Sequence, residues 1–143
     1  MNKERVFIAS DHAAFKEKQT LIAELKDQFE IVDLGTHSEE STHYPIYARE
    51  LALKVKEENA RGILLCGSGI GVSIAANRFK GVRAALCRDE FDAEMSRRHN
   101  DANVICLGSR TTSIDKMKTM IHKFFSTSFE GGRHQIRVEL MDR

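Results

Sequence analysis

No stretch of this sequence approaches the roughly 18 consecutive apolar residues needed to span a bilayer; runs such as Ile63 to Cys66 are far shorter. A secretory leader is not expected either, because the apolar run Val6 to Ala9 is short and Asp11, His12 and Lys16 follow at once. The expected location is the cytosol. Net charge is also nearly absent: 22 basic and 21 acidic side chains are interspersed along the chain, which removes any bulk electrostatic case for a nucleic-acid or membrane-surface partner. Cysteine is scarce. Cys66, Cys87 and Cys106 are odd in number and lack CxxC spacing, so neither a disulfide framework nor a zinc site is expected, and each reads first as a small buried hydrophobe. Internal repeats and low-complexity tracts are missing too.

What is present suits one domain over residues 1–143, since this length and a 41% hydrophobic content suffice for one core. Short apolar runs recur at Val6 to Ala9, Glu30 to Asp33, Gly62 to Cys66, Val82 to Leu86 and Val104 to Leu107. Helical periodicity separates them: Leu21, Ile22 and Leu25; Ala48, Leu51, Ala52 and Val55; Phe91 and Met95; Met117, Met120, Ile121, Phe124 and Phe125. Strands alternating with helices predict an α/β fold, a three-layer Rossmann-like sandwich with a five-stranded parallel sheet. Ligands of such sheets bind beyond the carboxyl ends of the strands, where the strand order reverses.

The most informative segment is Leu64 to Val72, a buried strand passing through Cys66-Gly67-Ser68-Gly69-Ile70-Gly71 into a helix. A dinucleotide fingerprint would need a third glycine at Val72, a Walker loop a Gly-Lys pair, and a thiol phosphatase loop an arginine at Val72. What remains is a thiol beside a row of backbone N–H groups, an environment that favours a thiolate and can hold an oxyanion. The plain alternative is a tight turn with a buried cysteine. Ser10-Asp11-His12 follows the first strand, where capping explains the Asp but not the His. Arg98-His99-Asn100-Asp101-Ala102-Asn103 reads either as a helix end with Asn100 in a left-handed cap, or as a site for His99 as general acid or base. After Gly131-Gly132, a helix would put Arg133 and Arg137 on one face to clamp a phosphate; a solvated basic tail is the alternative. The loop Gly35 to Pro45, with His37, His43 and Tyr44, is either a surface loop or the rim of the crevice.

Together with Ser73-Ile74-Ala75-Ala76-Asn77 and Phe129 to Glu139, these segments span the chain, and the sequence resembles the ribose-5-phosphate isomerase B family, which also holds galactose- and allose-6-phosphate isomerases. The resemblance implies interconversion of ribose 5-phosphate and ribulose 5-phosphate through an enediolate, without metal or cofactor. Isomerisation of a six-carbon sugar phosphate, or binding without turnover, are the alternatives. It further implies Cys66 as the proton-abstracting base and His99 as the acid that opens the sugar ring. Asp11, His12, Gly67, Ser68, Gly69, Ile70, Gly71, Asn100, Arg110, Arg133 and Arg137 match sugar-phosphate-binding positions. The implied assembly is a homodimer or dimer of dimers, with the site at the subunit interface and residues 131–143 as a C-terminal helical arm touching the partner. Departures from the family pattern are Ser68 for Thr, Ala14 for Gly, and His43 and Ile46 where acidic residues are frequent around Tyr44-Pro45.

Overall fold

Strands whose side chains are apolar in succession must be covered on both faces, and three such strands form the middle of the sheet. The computed structural model describes residues 2–143. Its strands are β1 (Glu4–Ser10), β2 (Phe29–Asp33), β3 (Arg61–Cys66), β4 (Ala84–Leu86) and β5 (Val104–Gly108). All pairings are parallel, in the order β2-β1-β3-β5-β4. The three central strands are buried along most of their length, whereas both edge strands remain partly accessible.

The period of two along each strand divides the core. Val6, Ile8, Ile63, Leu65, Ile105 and Leu107 face α1 (Phe15–Leu25), α4 (Glu90–Arg98) and α5 (Ile114–Ser126). Phe7, Ala9, Leu64, Cys66, Val104 and Cys106 face α2 (Tyr44–Glu58) and α3 (Ile70–Ala76). The expected stripe on α2 is wholly buried, and on α5 all but Phe125 of the expected five residues are. Local chemistry sets the helix ends: Asp89 and Ser113 accept the Asp92 and Lys116 amides at N-caps, and Asn59 closes α2 in the left-handed region.

Two expectations change. The fourth strand begins at Ala84 rather than Val82, because the Val82 amide closes a turn on the Phe79 carbonyl and the Arg83 amide is taken by the Asn103 side chain. On α4, Phe91 is 68% exposed and the inward face is Ala93, Ser96 and Arg97.

The chain ends in α6 (Arg133–Leu140), so the expected arm is helical. It folds back on its own chain: His134 and Val138 are buried, and the Asp142 carboxylate accepts the Gly81 amide at 3.1 Å.

Candidate active site

The strand order reverses at the β1/β3 pair, and the ends of these two strands are tied together: the Asp11 amide donates to the Leu65 carbonyl. A crevice of about 640 Å³ opens there, lined by Asp11, Tyr44, Cys66, Ser68, Ile70 and Arg110 among others. Asp11 is buried, and its Oδ1 accepts the Ala13 amide at 3.1 Å, so it does cap the short 3₁₀ turn His12–Ala14. The His12 ring turns aside from the crevice, its Nδ1 accepting the Thr42 amide at 3.1 Å beside a hollow with Lys16 and Glu39.

Cys66 ends β3 with 5% of its surface accessible. The Gly69 N–H donates to Sγ at 3.1 Å and the Ile70 N–H to the Ser68 hydroxyl at 3.2 Å. Those two amides are therefore engaged within the turn. An amide bond to sulfur is stronger when the sulfur carries charge.

Glycines let the turn pack this closely. Gly69 has φ +78°, and a Cβ there would meet the Leu86 side chain at 2.7 Å. A Cβ on Gly108 would lie 2.6 Å from the Ser68 backbone, and one on Gly71 2.6 Å from the Tyr44 ring. Tyr44 thus covers the start of α3. The Arg110 amide holds the Gly67 carbonyl at 2.9 Å, and its guanidinium lies over Gly67, where a Cβ would come within 3.0 Å of Nη1. A cation is thereby set beside the thiol turn.

The other expected residues lie elsewhere. In a parallel sheet a connecting helix starts beyond the carboxyl edge and ends at the amino edge. Cys66 pairs with Gly108 at one end of β5, whereas His99 caps the carboxyl end of α4 shortly before Val104 at the other. The length of a five-residue strand, roughly 13 Å, separates those edges. Within one chain His99 therefore stands at the opposite edge of the sheet from the thiol crevice.

Asn100, Arg133 and Arg137 share the amino edge with His99, because α5 also ends there and α6 runs across it to Gly81. Both arginines are exposed on α6. The turn carrying His99 and Asn100 is held by Arg97, which donates to the Asp101 carboxylate and to the Ala102 and Thr127 carbonyls. The left-handed residue in it is Asp101, at φ 47°, not Asn100. The expected site residues thus form two groups on opposite edges: Asp11, Cys66 to Gly71 and Arg110 on one, His99, Asn100, Arg133 and Arg137 on the other.

Comparison with known proteins decides the family. A family model described as Ribose/Galactose Isomerase matches residues 6–141. The chain belongs to the ribose/galactose isomerase family. It is 43% identical over 137 residues to ribose-5-phosphate isomerase B of Escherichia coli K12, covering 94% of this chain and 92% of that one. A Listeria innocua relative named ribose-5-P isomerase B is 37% identical, with 96% and 95% covered. Among solved structures, ribose-5-phosphate isomerase B from Thermotoga maritima superposes with a TM-score of 0.95 at 43% identity, covering 97% of each chain. That of Clostridium thermocellum does so with 0.95 at 40% identity, covering 96% of this chain and 95% of that one.

Within this isomerase-family fold, several residues near the two groups were not singled out by sequence. His134 stacks on His99 with ring centres 4.3 Å apart and planes 10° from parallel. Burial, then the neighbouring His99 and Arg133, push the His134 imidazole below the ordinary histidine range. Lys18, with no accessible surface, donates to both Asp33 oxygens. Nothing in the composition marks these residues, because one lysine on a helix reads as a solvated cation until its neighbour across the sheet is known. Burial pushes the Cys87 thiol up to about 12 and the Cys106 thiol well above the usual cysteine range. No helix among the described residues is long and apolar enough to cross a membrane.

Proposed function

We propose that this chain interconverts ribose 5-phosphate and ribulose 5-phosphate, and that it does so as a homodimer whose active sites each combine the Cys66 edge of one subunit with the His99 edge of the other. The observation that carries the reading is the Cys66 sulfur, which accepts the Gly69 amide in a crevice that Asp11 and Arg110 also line.

His99 donates a proton to the ring oxygen as the C1–O4 bond breaks, while the anomeric hydroxyl gives its proton to water to become the C1 aldehyde and His99 regains a proton from solvent. The Cys66 thiolate takes the C2 proton, and the C2–H electron pair becomes the C1–C2 double bond of an enediolate whose charge rests on O1. The Gly67 and Gly71 amides and Arg110 are the donors nearest that charge. The thiol then returns its proton to C1 while the C2 hydroxyl proton passes to O1, leaving the ketose and a regenerated thiolate. Arg133 and Arg137, spaced i, i+4, grip the phosphate with paired N–H donors. Asp11, His12, Ser68, Gly69, Ile70 and Asn100 complete the sugar contacts.

Formation of ribulose 5-phosphate from ribose 5-phosphate, assayed beside allose and galactose 6-phosphates, tests the substrate; preferential turnover of a six-carbon sugar overturns it. The shared site has its own test. Cys66→Ala and His99→Asn proteins are each close to inactive, but a refolded mixture recovers about a quarter of wild-type activity, since half the dimers are mixed and each carries one intact site. A mixture no more active than its parents places both residues in one subunit's site and removes the two-subunit arrangement.

A further inference from the structure

Beyond the thiol crevice, one group of side chains has the chemistry and spacing of a ligand set. His134 is buried, with 7% of its surface accessible, and its Nε2 has no hydrogen-bond partner. Glu130 Oε1 lies 3.6 Å away, too long for a hydrogen bond. That distance is close to the about 3.4 Å that separates two ligand atoms on a tetrahedral zinc ion with bonds of about 2.1 Å. His99 is the third member: one donor atom from each of His99, Glu130 and His134 lies within 4.8 Å of the others.

The group is held by the fold rather than by chance proximity. The Glu130 amide donates to the Arg98 carbonyl at 3.0 Å, fixing the loop against the end of α4, and the His134 amide closes the first turn of α6 on the Gly131 carbonyl. Arg98 Nη1 lies 3.5 Å from Glu130 Oε2, leaving Oε1 toward His134. His99 is half-buried at a helix end, and because the lone pairs of two stacked imidazoles lie in parallel planes, binding requires its side chain to rotate out of the stack and turn a ring nitrogen into the gap. Two imidazoles and a carboxylate form a donor set suited to Zn²⁺ and similar borderline dications. The set contains no cysteine, so cysteine spacing gives no sign of it.

We propose that His99, Glu130 and His134 form a binding site for a transition-metal dication of the Zn²⁺ class, and that its occupancy inhibits the isomerase by removing the His99 imidazole from ring opening. The ion is an inhibitor here, not a cofactor. The inhibitory half of this proposal rests on the ring-opening role given to His99 above; the binding half does not.

Titration of the Cys66→Ala protein with Co²⁺, followed by its absorption, and with Zn²⁺ against a chromophoric chelator, reads the site without catalysis and without the reactive thiol. One ion per chain is expected, with no thiolate charge-transfer band, and Glu130→Gln and His134→Gln each weaken binding at least about tenfold. In the otherwise wild-type enzyme Zn²⁺ inhibits ribose 5-phosphate turnover over the same concentration range and chelator restores it. Glu130→Gln keeps its turnover in chelator and moves the inhibition curve by the factor seen in binding. Absence of stoichiometric uptake, or uptake indifferent to both variants, overturns the site. Uptake as described with full turnover at saturation upholds the site and instead overturns the role of His99. Slow turnover by His99→Asn, together with no metal uptake by the Cys66→Ala protein that retains His99, leaves the isomerase reading standing and removes the metal site.

Discussion

The Lys18 ammonium is fully buried and lies 2.7 Å from the Asp33 carboxylate at the end of β2. Asp33 also accepts the Gly35 amide, while the Gly35 carbonyl and Thr36 amide bond both backbone groups of Ser10. The pair therefore fixes the strap beside which Asp11 enters the crevice.

Lys18→Met is expected to lower stability by roughly 2–4 kcal/mol, since breaking a buried pair strands its partner, here with 27% of the Asp33 side chain still in water. Urea unfolding measures it. Adding Asp33→Asn should cost less than the sum of the single changes; strict additivity would mean that the two groups do not act as a pair.

Cys66→Ala is expected to lose exchange of the substrate C2 hydrogen with deuterated solvent by about 10²–10⁴-fold, the usual range for a positioned base, while folding and sugar-phosphate binding persist. Exchange at near wild-type rate would transfer the role to another group.

Arg137→Ala should raise KM for ribose 5-phosphate roughly tenfold or more, as one charge-assisted contact is worth about 1.5–3 kcal/mol. An equal loss on an unphosphorylated sugar would return Arg137 to the solvent-facing surface of α6.

Stability should fall at alkaline pH. An unfolded chain ionises its thiols near 9, whereas burial, then the Asp92 charge, holds Cys87 up to about 12, and burial holds Cys106 well above the usual range. Above 9 the unfolded state has lost protons that the folded state keeps. The stabilisation, complete below 9, is therefore lost as pH rises from 9 toward 12, by about 1.4 kcal/mol per pH unit for each thiol. Unfolding free energies of Cys87→Ala and Cys106→Ala against pH should slope less steeply than wild type; parallel slopes would mean that the thiols exchange protons freely in the native state.

The layers and the sheet were legible in the sequence because continuous apolar runs and i, i+3, i+4 stripes report burial directly, as the α2 stripe and the three central strands illustrate. The Cys66 turn was legible for a related reason: its glycines sit where a Cβ would strike Leu86, Tyr44 or a backbone. The edge on which His99 stands was legible too, because its helix leads into the fifth strand and such a helix ends at the amino edge of a parallel sheet. Lys18 with Asp33 and His134 with His99 were hidden, since each pairing is a contact between separate elements that no local pattern encodes.

Under the proposed two-chain site, the placement of His99 and Cys66 on opposite edges of the sheet would give turnover a concentration dependence absent from a self-contained enzyme. In that arrangement specific activity should fall on dilution as dimers part, and in the dilute limit the rate should follow the square of the protein concentration. Cellular abundance would then set not only how much isomerase is present but what fraction of it is able to turn over.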